Sequence, residues 1–122
     1  MKALFTCMCL ICMMLSVAHA HAPSGLVLEY DVEEHLLTVM VMHSVAKINN
    51  HYINKIEVAL NGDKIITQQI DSQSSPESQD VQYIIVDAEI GDEINVTAHC
   101  NIIGIKSAKL TVSGESVPEE EE

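Results

Sequence analysis

The sequence predicts an all-β protein, an immunoglobulin-like β-sandwich of about seven strands. After residue 20, apolar and polar residues alternate with a period of two, and no stretch has the apolar spacing of an amphipathic helix. The alternating segments are short and separated by turn-forming residues, which is typical of sandwiches. A chain of 122 residues has room for one compact domain, which we place at residues 21–114.

The predicted strands follow one another in short steps. They cover residues 26–30, 35–43, 51–60, 64–70, 81–87, 93–100 and 105–113. Asn61-Gly62 predicts a tight hairpin, because both residues tolerate a positive φ angle. Residues 71–80 are polar and contain a proline, which predicts a mobile loop, and residues 89–94 predict a turn.

Residues 1–20 resemble a secretory signal peptide. Lys2 precedes an apolar run over residues 3–17, and small residues stand at Ala18 and Ala20, where a signal peptidase would cut. A membrane anchor is disfavoured, because the run is shorter than the roughly 20 residues of a spanning helix. Cleavage would remove three cysteines, so the mature, secreted or periplasmic chain would keep Cys100 as its only thiol.

The charge of the chain excludes several partners. Six lysines and no arginine oppose 18 acidic residues, which gives a net charge of −12 that becomes −13 without Lys2. Nucleic acid and anionic membrane surfaces are therefore not expected as partners, and no membrane contact is expected after signal cleavage. Residues 115–122 end in four glutamates and predict a disordered acidic tail.

Strand alternation brings four potential metal ligands to one end of the sandwich. His43 and Cys100 each end a strand on its apolar, core-directed face. If the strands run up and down, His21 before the first strand and His51 at the start of the third lie at the same pole. Imidazole and thiolate ligands suit iron, copper or zinc, whereas calcium and magnesium prefer oxygen.

The other histidines and the isolated motifs have simpler interpretations. His35 falls at the opposite pole and His99 faces away from Cys100, so both are expected on the surface. The Asn95 glycosylation sequon lies inside a predicted strand and has little weight. Cys100 alone could be a buried apolar residue without a metal. A Cys/His hydrolytic pair is disfavoured, since no oxyanion-hole motif accompanies it.

Three segments resemble the iron-binding domain of desulfoferrodoxin and neelaredoxin, the superoxide reductases. They are "HAP" at residues 21–23, "HSVAKINNHYINKIEV" at 43–58 and "AHCNIIG" at 98–104. The resemblance implies a sandwich that holds iron through histidines and an axial cysteine, with an open position where ferrous iron reduces superoxide to peroxide. The iron ligands that the resemblance implies in this chain are His21, His43, His51 and Cys100.

The chain departs from the family pattern at three places. Ile103 occupies the position of the fourth histidine in the family's C-N-x-H-G, and isoleucine cannot bind a metal. His43 and His51 are eight residues apart, where the family has six, and Ala20 replaces a lysine associated with guiding superoxide. Cleavage after Ala20 would give His21 a free α-amine, which could partly replace the lost imidazole or favour copper.

These observations predict an exported non-haem iron protein resembling superoxide reductase, supplied with electrons by an unidentified donor and acting on superoxide or another small anion. Two alternatives stay open. One is a non-catalytic module of the same fold that binds iron, copper or zinc. The other is a metal-free structural or interaction sandwich.

Overall fold

Two antiparallel β-sheets pack face to face in the computed structural model, which describes residues 21–114. The strands are β1 (Gly25–Asp31), β2 (Leu36–Met42), β3 (Ile53–Leu60), β4 (Asp63–Gln69), β5 (Ser78–Ile84), β6 (Glu93–Cys100) and β7 (Ile105–Thr111). One sheet has the order β1-β2-β5 and the other β4-β3-β6-β7. The predicted all-β sandwich is confirmed, whereas the predicted signal peptide (1–20) and acidic tail (115–122) lie outside the described residues.

The core lies between the sheets and is built from alternate residues of facing strands. β2 and β6 each contribute three side chains with no exposed surface: Leu37, Val39, Val41, Ile94, Val96 and Ala98. These are the faces that the alternation predicts to be apolar and inward. β3 adds Ile56 and Val58, so the two strands in the middle of the larger sheet supply most of that sheet's core side.

The Asn61-Gly62 hairpin forms as predicted. Both residues have positive φ angles, 50° and 87°, and Leu60 pairs with Asp63 across the turn. This is the geometry that matches the twist of two adjacent strands.

β5 begins three residues earlier than predicted. The strand starts at Ser78 and ends at Ile84, whereas the apolar run predicts 81–87. Gln79 lies inside the strand and is buried. Its burial is tolerated because its Nε2 donates to Asp80 O and its Oε1 accepts from Ser74 N. The polar segment 71–80 is thus partly strand and hydrogen-bonded, not the mobile loop predicted from its composition.

The second and third strands are shorter than predicted at the ends that face one pole. β2 stops at Met42 and β3 starts at Ile53, so His43 and His51 both lie outside the strands. A β-bulge interrupts the pairing of β3 with β6 at Asn54. Bulges of this kind redirect side chains near functional sites.

Residues 21–114 contain no helix with the length and hydropathy that a membrane crossing requires.

The outer face of the larger sheet has an ion cluster around Glu57. Its carboxylate lies 2.6 Å from Lys64 Nζ, 3.0 Å from Lys55 Nζ and 3.3 Å from His99 Nε2. Hydrogen bonds from Lys64 and then Lys55 lower the pKa of Glu57 to about 2. The charged carboxylate therefore stabilises the folded chain at neutral pH.

We expect Glu57→Gln to lower the free energy of unfolding at about pH 6, and the difference from wild type to shrink as the pH falls towards about 2. The sign follows from the pKa of Glu57, which is lower in the folded chain than its ordinary value, so its contribution is lost on protonation. Urea unfolding across this range measures the effect. Glu29→Gln, which removes an exposed carboxylate of β1, is the control and should show no such convergence. A constant difference for Glu57→Gln would contradict the prediction.

Candidate metal site

Three potential metal ligands converge at one pole of the sandwich. His43 follows β2, His51 precedes β3 and Cys100 ends β6, and one ligand atom from each lies within 4.8 Å of the others. His43 is 1% exposed and Cys100 9%, whereas His51 is half-buried. Cys100 is a free cysteine. The predicted convergence of these three residues is thus found in the fold, with a donor set suited to a transition metal.

His21 joins the cluster from the solvent side. Its ring centroid lies 5.2 Å from that of His43 and 5.4 Å from that of His51, and the rings meet edge to face. The carbonyl oxygen of His21 lies 3.1 Å from His43 Nε2. His21 is exposed and lies outside the group of three ligand atoms, but its backbone borders them.

Asn101 connects the segment around His51 to the end of β6. Its side chain accepts a hydrogen bond from Tyr52 N at 2.8 Å and donates one to Asn50 O at 3.0 Å. The backbone N–H of Asn101 also donates to Tyr52 O. These bonds hold both neighbours of His51, so the position of this ring is tied to that of Cys100.

The N-terminal segment is held against the same pole by close packing. Gly104 has a φ angle of 99°, and a Cβ at this position would lie 2.6 Å from Ala22 Cα. Ser24 N donates to Met42 O at 2.8 Å, which continues the edge of the smaller sheet. Gly104 is therefore needed both for its backbone conformation and for the approach of Ala22, which carries His21 to the site.

Gln73 is a buried polar residue beside His43 that the sequence analysis missed. It lies in the polar segment 71–80 and is 2% exposed. Its Oε1 lies 2.8 Å from His43 Nδ1, and its Nε2 donates to His43 O at 2.7 Å and Ser75 O at 2.9 Å. Composition alone could not reveal it, because a single glutamine among polar residues has no distinguishing pattern.

His51 has a buried nitrogen without a protein partner. None of residues 21–114 forms a hydrogen bond with its Nε2. Burial lowers the pKa of His51, and the charges that His43 and His21 would carry lower it further, against a smaller opposing effect of the His21 backbone. A neutral imidazole with a free, buried nitrogen is the form that binds a metal, and this fits a cation at the pole.

His35 and His99, which are expected on the surface, are both half-buried, and each has one buried ring nitrogen. His99 faces the outer surface beside Glu57, away from Cys100, and His35 lies in the β1–β2 turn. Ile103 is 60% exposed in the turn after β6. Among the described residues, no fourth imidazole joins His21, His43 and His51.

Comparisons with known proteins identify the fold. No protein-family model and no curated protein matches the chain. Among solved structures, the superoxide reductase from Giardia intestinalis superposes with a TM-score of 0.56 at 13% identity, covering 75% of this chain and 100% of its own. A hypothetical protein from Pyrococcus horikoshii gives 0.55 at 18% identity, with 78% and 93% covered. A superoxide reductase in the oxidized state gives 0.52 at 16% identity, with 78% and 92% covered.

The chain therefore has the fold of superoxide reductases, with a possible His/His/Cys metal site at one pole. The superpositions, at sequence identities of 13% to 18%, establish the fold alone.

We expect Gly104→Ala to weaken metal binding, because the added Cβ displaces Ala22 and, with it, His21. Gly91→Ala is a matched control: Gly91 also has a positive φ angle, 96°, but a Cβ there meets nothing within 4 Å. Both variants should lose stability by about 1–2 kcal/mol from the backbone conformation. Titration with Zn²⁺ should show weaker binding for Gly104→Ala only, and equal affinities would contradict the role of Ala22.

Proposed function

We propose that this protein is an exported, mononuclear non-haem iron protein resembling superoxide reductase, in which His21, His43, His51 and Cys100 hold the metal. The observation that carries the proposal is the convergence of His43, His51 and Cys100, whose ligand atoms lie within 4.8 Å of one another. The buried His51 Nε2, which has no hydrogen bond, is consistent with it. The fold shared with superoxide reductases supports it.

The donor set fits an iron centre. A thiolate and neutral imidazoles bind iron, copper and zinc, and a thiolate raises the electron density on the metal. Bound ferrous iron would supply the electron that, with two protons, converts superoxide to hydrogen peroxide. Cys100 lies at the buried side of the cluster and His21 at the exposed side, so the chain leaves the approach for a small anion on the side of His21.

The alternative is a metal-binding module without turnover. Ile103 leaves the cluster with three imidazoles, and a net charge of −12 opposes the approach of an anion. Both facts favour storage or transfer of iron, copper or zinc over repeated reduction of superoxide. A bound metal would also protect the single thiol of an exported chain from oxidation.

We further propose cleavage after Ala20 and export to the periplasm or the extracellular space. The apolar run over residues 3–17 and the small residues Ala18 and Ala20 support this. The mature chain would then start at His21, whose backbone borders His43 Nε2. Its α-amine would be one further nitrogen ligand at a site that lacks a fourth imidazole.

We expect the mature protein loaded anaerobically with Fe²⁺ to bind one iron, to develop a thiolate-to-ferric absorption band on oxidation, and to consume superoxide. Cys100→Ser should lose the band, because serine does not supply a thiolate. His99→Gln is the control, since His99 lies beside Cys100 in the chain but faces the other side of the sheet. Stoichiometric metal binding without superoxide consumption would favour the metal-binding module without turnover. A stable protein that binds no metal would contradict both the iron-protein proposal and the module.

We expect the α-amine to contribute to metal affinity. A chain that begins at His21 should bind Zn²⁺, which does not deprotonate backbone amides, more tightly by about tenfold or more than a chain with one glycine added before His21, because the addition moves the amine away from the ring. Competition with a zinc chelator measures the ratio. A third chain with an added glycine after the tail separates the effect of length from that of the amine. Equal affinities in all three would exclude the amine as a ligand, and mass spectrometry of the secreted protein tests the cleavage site.

A further inference from the structure

We infer that Gln73 is a positioning residue that sets the tautomer of His43 and so decides which of its ring nitrogens can bind a metal. The metal itself rests on the proposed function, whereas the tautomer follows from hydrogen bonds among the described residues.

The orientation of the Gln73 side-chain amide is determined by its neighbours. Nε2 donates to two carbonyl oxygens, His43 O at 2.7 Å and Ser75 O at 2.9 Å, which can only accept. On the other side, Oε1 accepts from the backbone N–H of Ile53 at 3.3 Å. If the amide were reversed, its oxygen would face the two carbonyl oxygens, and its NH₂ group would face the N–H of Ile53. Oε1 therefore faces His43.

The ring of His43 must then carry its proton on Nδ1. Oε1 of Gln73 is an acceptor without a hydrogen, and it lies 2.8 Å from Nδ1, so that nitrogen is the donor. A neutral imidazole has one N–H, which leaves the lone pair on Nε2. Nε2 is the nitrogen that faces the pole where His21 lies.

The neutral ring has an unfavourable contact that a cation would remove. Nε2 of His43 lies 3.1 Å from His21 O, and in this tautomer both atoms are acceptors. The alternative tautomer would satisfy His21 O but would break the bond to Gln73. Because Gln73 and His43 are 2% and 1% exposed, water cannot replace that bond, and the loss of a buried partner is costly. Gln73 thus holds Nε2 free for a metal at the expense of the contact with His21.

The test compares two identical substitutions in one segment. Gln73→Met removes the acceptor at His43, whereas Gln79→Met removes another buried amide that bonds only Ser74 and Asp80. Side-chain ¹⁵N NMR of the metal-free mature protein, at about pH 8 where unperturbed imidazoles are neutral, reports the tautomer of His43. Competition with a chelator reports affinity for Zn²⁺.

We expect wild type and Gln79→Met to have His43 protonated on Nδ1. In Gln73→Met the His43 proton should shift to Nε2, which then donates a hydrogen bond to His21 O. This variant should bind Zn²⁺ about 10- to 100-fold more weakly. Wild-type His43 protonated on Nε2 would overturn the inference, and this measurement needs no variant to fold. Equal Zn²⁺ affinities of two folded variants would also overturn it. Failure of wild type to bind any metal would contradict the proposed function while leaving the tautomer assignment testable by NMR.

Discussion

The pairing of β3 with β6 in the middle of the larger sheet is the constraint on which the site depends. Ile53 lies opposite Cys100 at the end of this ladder, so the thiol and the segment that carries His51 reach the same pole. β6 alternates without interruption from Ile94 to Cys100, which directs the thiol inward with the core. A shift of one residue would turn Cys100 to solvent and bury His99, so the hydrophobic core itself keeps the thiol in place.

His43 and His51 lie beyond the ends of their strands, so the hydrogen bonds of the sheets do not position them. Two side-chain amides do so instead. Asn101 holds the backbone on both sides of His51, and Gln73 bonds both the ring and the backbone oxygen of His43. Each amide spans two segments that are far apart in sequence. The positions of His43 and His51 thus depend on a few directional hydrogen bonds, added to a sandwich held by apolar packing.

Much of this arrangement could be predicted from the sequence, because the alternation of apolar and polar residues along a strand indicates which face of the strand is buried. The inward faces of β2 and β6 and the Asn61-Gly62 hairpin follow from this rule and from turn chemistry. β5 starts three residues before the apolar run that predicts it, since its buried Gln79 is satisfied by hydrogen bonds that leave no pattern in the sequence. The role of Gln73 has no sequence pattern for the same reason.

The polar groups at the pole are incomplete in the protein alone, and one cation would complete them together. The buried Nε2 of His51 has no partner among the described residues, and Nε2 of the Gln73-bonded His43 tautomer faces a carbonyl oxygen. Each unsatisfied buried group costs about 1–3 kcal/mol. A metal ion bound at the proposed site would accept both lone pairs and the Cys100 thiolate, and its binding energy would offset this cost. A metal bound at the proposed site would therefore couple metal binding to the stability of the folded chain.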